Sequence, residues 1–483
     1  MSARQSVGVV LCVALGLCCG AEAADWPQLQ NGPGHTGYTA EGPRPPLRVK
    51  WTRSLGEPTF PGAQPIVADG RLYVGTCWGN LLALDRNTGR TLWVYKTGAP
   101  VLGTPAFEGG VVYATSMDRH CHAVDARDGT RRWAFPTEEG ISAGPVVADG
   151  KVFIAGRDAI VYALDARDGS LVWKSPVGAM VMATPAWASG VLYVGAGDNR
   201  VYALDGKTGR EIWKSEGLPG MAIRDYWLVA SGPSVIATTQ LVNGAHATYD
   251  AIEKGIMAPF REANHGKMLV QDELIEKLRG WFVAHPHQQT LHVLDAATGK
   301  RRFVAPIVQV HGGGCTGPLP VIAPDGACYV VYANVRLQAS GWAFPGRLDL
   351  ETGRLEPLIK GRYWIDKDQW EWQPKPGTEF GRRSTFDTGF CVSDQSWGLS
   401  LAGGRLLTVR DPGWPEAEPS CCALDLKTGE DRYLCDERTR LRQAVRDGRY
   451  GGAFHATCSP MIVSGKHVFH KAVRNVIVCF EGD

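Results

Sequence analysis

Residues 163–202 read ALDARDGSLVWKSPVGAMVMATPAWASGVLYVGAGDNRVY, and the next residues, ALDGKTGREIW, are an edited copy of their opening. The landmark aspartates Asp85, Asp125, Asp165 and Asp205 are spaced 40 residues apart. An ungapped period of that size marks stacked copies of one small structural unit. Asp165–Gly169 reads as a hairpin turn, in which the Asp carboxylate accepts the turn's N–H groups and Gly169 supplies a positive φ. Pro185 opens an apolar strand, Gly190 turns it and VLYVGAG returns; VYALD and EIWKS follow, rich in β-branched and aromatic residues. Four short antiparallel strands per unit make one blade of a β-propeller.

Trp173 follows its aspartate by eight residues, as Trp93, Trp133 and Trp213 follow theirs. A single blade cannot cover both of its faces, so these indoles are expected to wedge between neighbours. Replacing one by Ala should cost about 3–5 kcal/mol.

The count of blades comes from the fourth strands, at Trp51, Trp93, Trp133, Trp173, Trp213, Phe303, the strand after Gly353, and Tyr433, which gives eight. LRVKWTRSL (47–55) is a fourth strand with nothing before it, whereas the tail from Ser459 supplies three strands and ends with Glu481 at the turn-Asp place. The amino-terminal strand therefore completes the last blade, closing an all-β ring with no open edge. Phe303 and Tyr433 keep an aromatic in the wedge position, but Pro357 takes it in blade six.

Blades one to four are regular, and the later ones are elaborated. Blade five carries an insertion, 245–287, in which KMLVQDELIEKLRGWF has helical apolar spacing through Leu269, Leu274, Ile275, Leu278, Trp281 and Phe282. The link from blade six to seven carries Trp364, Trp370 and Trp372; blade seven adds 411–420, and the approach to blade eight adds 436–452. All of these fall in the strand two–three link or the link between blades, which share one face of an up-and-down ring. Turns on the other face stay minimal. Elaboration confined to one face of a rigid scaffold marks a binding surface.

Residues 1–23 carry Arg4, an apolar stretch from Val7 to Leu17, and Ala21-Glu22-Ala23. They read as a signal peptide cleaved near Ala23, too short to span a membrane, followed by an extended lead-in (24–46) and the ring (47–483). The expectation is an exported protein, periplasmic or extracellular. A net charge of +2 gives no reason to expect nucleic acid as partner. Three of the thirteen cysteines precede Ala24. Among the rest, Cys421 and Cys435 flank a hairpin at near-matching positions, either as a cross-strand disulfide or as buried thiols.

The repeat AxDxxTGxxxW, with the leading WPQ and NGPGHTGYT, resembles the pyrroloquinoline quinone repeat propellers. That resemblance implies an eight-bladed ring and two kinds of activity: quinone- and calcium-dependent alcohol or sugar dehydrogenases, or non-catalytic members such as the outer-membrane barrel-assembly lipoprotein. The dehydrogenases carry adjacent disulfide-bonded cysteines. Here Cys421-Cys422 lies inside a repeat strand, no stretch matches the calcium site, and there is no CxxCH haem attachment.

Alignment of the inner strands puts Phe60, Pro100, Gly140 and Met180 at one channel-mouth position of the regular blades, but Asp394 and His455 in blades seven and eight. At a second position, Ala63, Gly103, Ala143 and Ala183 give way to Asp225, Trp397 and Cys458. With Arg224, His311 and Cys315 these residues suit an anionic or planar ligand. They are also candidates for an internal hydrogen-bond network or, by ligand type though not by spacing, for a zinc or copper site. His120 and His122 share a strand face and read as solvated. The sequence points to a monomeric binding or scaffold protein that holds a protein, a peptide or a small planar or anionic ligand, with a quinone- and calcium-dependent oxidoreductase as the alternative.

Overall fold

The computed structural model describes residues 25–224, 226–240, 242, 251, 253–263, 268–307, 319–334, 342–358, 361–366, 369–374, 398–410, 420–435, 459–473 and 475–482. They form eight antiparallel blades. Blade three shows the plan: Val146–Ala148 lies innermost, followed outward by Lys151–Ala155, Ile160–Asp165 and Leu171–Pro176. In the turn between the last two strands, Asp165 Oδ1 accepts the Arg167 N–H at 2.9 Å, and Gly169 has φ 74°.

The fourth strand bulges next to its tryptophan: Trp173 lies opposite Ala163 while Leu171 lies opposite Leu164. This extra residue turns the indole toward the next blade. Trp173 Nε1 donates to Gly206 O at 3.1 Å, and Trp51, Trp93, Trp133 and Trp213 donate to the corresponding carbonyls of their neighbours. The receiving surface is the turn glycine. A Cβ on Gly169 would lie 2.6 Å from the Trp133 ring, and Phe303 presses on Gly353 in the same way. At Gly429, which follows the Pro357 position, nothing lies within 4 Å.

Closure follows the expected route. Arg48–Ser54 pairs antiparallel with Val476–Glu481, with Trp51 opposite Cys479. Glu481 accepts from Arg48 (2.5 Å), Lys50 (2.9 Å) and Lys466 (3.1 Å), and His467 Nε2 lies 3.2 Å from it. Hydrogen bonds from Lys50 and Arg48 hold its carboxyl far below the usual range. The buried Lys471 ammonium spends its three donors on the carbonyls of Phe60, Pro61 and Ala63, joining blade eight to the link into blade one.

The lead-in does more than extend. It circles inside the ring and pairs with the innermost strand of successive blades. Trp26 exchanges backbone bonds with Val67 in blade one, Pro27 O accepts from Phe107, and the Gln28 side chain bonds both backbone groups of Val147. Pro33, Gly34, Thr36 and Gly37 carbonyls then accept from Trp187, Ala230, Ile322 and Leu401 of blades four to seven. Blade eight is reached through Gln64, which takes the Gln30 N–H and donates to Pro460 O. The inner strands of blades one to seven thus each bond to the lead-in. The glycines of NGPGHTG allow the close approach: a Cβ on Gly34 would sit 2.6 Å from Ala230 O.

The blade-five insertion also differs from expectation at its start. Met268–Val270 is a strand, because it pairs with Gly361–Asp366 of the blade six–seven link, which pairs in turn with Gln369–Pro374. Within KMLVQDELIEKLRGWF the helix is Gln271–Ala284, so Leu269 lies on a sheet rather than on the helix; Glu253–Ala263, earlier in the insertion, is also helical. The helix buries Ile275, Leu278, Trp281 and Phe282, and its Arg279 donates to Gly353 O, on the minimal-turn face, at 2.8 Å. It therefore covers the outer wall of blades five and six and does not stand over the channel mouth.

Gly169 and Gly429 offer a matched test, since their φ values are 74° and 73° and only Gly169 carries a ring. Gly169→Ala should lower stability by about 1–3 kcal/mol more than Gly429→Ala in denaturant titrations, because only it overpacks a joint. Equal losses would mean that the indole contact adds nothing beyond backbone strain.

Candidate functional site: the elaborated face

The lead-in gives the channel a floor. Trp26, Leu29, Gln30 and His35 are buried within it, close to the minimal-turn face. His35 donates through Nδ1 to Leu228 O at 2.8 Å, and burial lowers its pKa to about 4. Above that floor, inner strands are tied blade to blade: Thr104 Oγ1 accepts from Gln64 N and Thr184 Oγ1 from Gly144 N, each at 2.9 Å.

That face also carries apolar side chains in water. Among the described residues, the exposed large hydrophobics outside the rim strands and the helix are Phe60, Trp78, Met180, Met221 and Val242. All five sit on strand two–three links or links between blades. The turns of the opposite face carry none.

Of the channel-mouth candidates, Arg224 is exposed on the link into blade five. Asp225, His311, Cys315, Asp394, Trp397, His455 and Cys458 lie outside the described residues. Cys421 and Cys435 are buried on adjoining strands as thiols, with no disulfide between them. Burial, with Cys422 and Cys435 beside it, pushes the Cys421 thiol well up. Cys422 lies inside strand Ser420–Asp425, as expected.

One histidine reading is corrected. His122 is buried rather than solvated; its Nε2 reaches both Asp118 oxygens at 3.1 and 3.2 Å, and its Nδ1 meets Tyr95 OH at 3.0 Å. Burial depresses its pKa and outweighs the pull of Asp118. Burial also raises the Asp118 carboxyl, but hydrogen bonds from Gly98 and His122 hold it below the ordinary value. In blades three and four the same place is held by Tyr162 and Tyr202, whose hydroxyls donate to Asp158 and Asp198 at 2.8 and 2.6 Å. The substitution of His for Tyr at an aligned position was the available signal.

Similarity to known proteins follows this architecture. The family described as outer membrane protein assembly factor BamB matches residues 48–140 and 122–247. Over the matched stretch, residues 48–247, the blades are repeats of the pyrroloquinoline quinone type. BamB from Moraxella catarrhalis superposes with a TM-score of 0.52 at 14% identity, covering 90% of this chain and 99% of that one. Quinohemoprotein alcohol dehydrogenases from Pseudomonas putida HK5 and Comamonas testosteroni each superpose at 0.54 and 16% identity, covering 95% of this propeller and 80% and 81% of theirs. At such identities the likeness establishes the fold. No curated protein matches the chain.

The buried histidines predict a propeller that loses stability in acid. His35 and His470 fall from 6.5 to about 4 through burial, and His292 to about 3. Below pH 6.5 the unfolded chain takes up protons that the folded one refuses, so stability, full above 6.5, falls as pH drops toward 4. The unfolding midpoint should decline over that window, and His35→Gln should flatten the slope. A pH-independent midpoint would contradict the burial of these rings.

Proposed function

We propose that this protein is an exported, monomeric, non-catalytic scaffold that holds a protein or peptide partner on its elaborated face. The observation that carries the reading is the placement of Phe60, Trp78, Met180, Met221 and Val242, exposed on that face and matched by none on the opposite turns. Apolar surface left in water on one side of a monomer is the physical mark of a contact waiting to be made. The match to a family of outer membrane assembly factors supports the same direction. Export rests on the leader-like residues 1–23, and no helix among the described residues is long and apolar enough to cross a membrane.

A second reading, a quinone- and calcium-dependent oxidoreductase, draws on the similarity to quinohemoprotein alcohol dehydrogenases. The described residues do not fit it: no three His, Cys, Asp or Glu side chains among them converge on a cation site, and the adjacent cysteines are buried in a blade strand. The acidic channel-mouth candidates Asp225 and Asp394 lie outside the described residues.

Covalent capture separates the readings. Phe60→Ser with Trp78→Ser should abolish photo-crosslinking to one defined partner in the exporting cell, with the unfolding midpoint unchanged. Leu92→Ser with Val94→Ser, on the rim, should keep it, and replacing 245–287 by a short Gly-Ser turn should weaken it. Equal crosslinking by both double variants would remove the scaffold reading. Dye-linked alcohol oxidation after addition of quinone and calcium would establish the second.

A further inference from the structure

We propose that the cleft between the outer strands of blades one and two is a binding site for a small oxyanion, a carboxylate or a phosphate. It holds about 670 Å³ and is lined by Tyr95, Lys96, Asp118, His120, His122 and Arg131, among others. Its upper end, at Thr97, Gly98 and Asp118, belongs to the elaborated face; the site itself lies on the rim, and the inference is independent of partner capture.

The repeat supplies an internal control. Blades one to four share one backbone plan, so a residue type present in one and missing from the matching places of the others is not demanded by the fold. Lys96 corresponds to Pro136 and Pro176, His122 to Leu82, Tyr162 and Tyr202, and His120 to Asn80, Ile160 and Arg200. Arg131 and Arg132 correspond to Thr91 and Leu92, to Leu171 and Val172, and to Glu211 and Ile212. Cationic and imidazole groups therefore gather around this one joint.

The bonding pattern says which charge the cleft takes. Asp118 is its one carboxylate, and its oxygens are turned inward: Gly98 N–H at 2.8 Å, His120 N–H at 3.0 Å and His122 Nε2 occupy them. Arg132 is paired with Asp125 at 2.8 Å. Lys96 and Arg131 make no ion pair with any described residue, and His120 is half-exposed beside them. What remains for the cleft is the Lys96 ammonium and the Arg131 guanidinium; the Tyr95 hydroxyl lies between Arg131 and His122 Nδ1, and the His120 Nδ1–H is spent on Asp118 O. A planar fork beside a point charge is the arrangement that holds an oxyanion.

Titration calorimetry with succinate and with inorganic phosphate, together with ¹³C-labelled histidine NMR, tests this. One or both probes should bind the full chain and shift the His120 and His122 resonances, and comparison of the two probes assigns the source of the oxyanion. Arg131→Leu, the residue blade three uses, should weaken binding about tenfold, as loss of a charged hydrogen bond does, with no change in the unfolding midpoint; Lys96→Ala should act in the same direction. Binding of neither probe, or equal affinity in wild type and Arg131→Leu, would overturn the proposal.

Discussion

Everything in this ring depends on the joint at which an indole from one blade lies on the turn glycine of the next. The glycine serves two ends: its positive φ closes the Asp-capped turn, and its missing side chain leaves room for the ring. The indole N–H reaches a carbonyl of the neighbouring turn, so the joint is both packed and hydrogen-bonded. A blade is a thin sheet with two apolar faces, and the joint lets the faces of adjacent sheets cover each other at a fixed angle. Once that angle is set, eight copies close and the fourth strand of the last can be supplied by the chain's own beginning.

Closure alone leaves a problem at the axis. The innermost strands present their outer edges to a central channel, where unpaired N–H and C=O groups would be buried without partners. Trp26 to Thr39 solves it by running once around the inside, taking bonds from blade after blade in chain order. Two consequences follow. The channel gains a floor, and the lead-in couples blades one to seven directly and blade eight through Gln64. Blade six, whose joint to blade seven lacks an aromatic at Pro357, is held by this inner circuit through Ile322.

The legible part of the fold was the part that repeats. Turn aspartates, glycines and wedge tryptophans recur at fixed spacing, and the closing strand was visible because the Trp51 stretch matches a fourth repeat strand and the stretch ending at Glu481 matches the first three. The lead-in could not be read in the same way, because its partners are backbone groups and backbone pairing leaves no mark on residue choice except the glycines that permit close approach. The beginning of the helical insertion misled for a different reason: an apolar stretch such as KMLV fits a helix or a strand, and the decision was made by Tyr363 and its neighbours a hundred residues away. His122 was misread because period-two alternation shows which residues share a face and not what lies across the next joint, here Tyr95.

The direction in which the chain enters the ring also bears on how its two faces are used. Asp25 meets the backbone of Asp69, in the first minimal turn, and Trp26 pairs with Val67 just inside it. The lead-in therefore begins at the minimal-turn side. The exposed Phe60, Trp78, Met180, Met221 and Val242 are on the other side. Short turns suffice on the first side because it has to admit one chain segment and seal behind it. The second side, relieved of any part in closing the ring, is free to vary loop by loop, and this is where the sequence abandons its period.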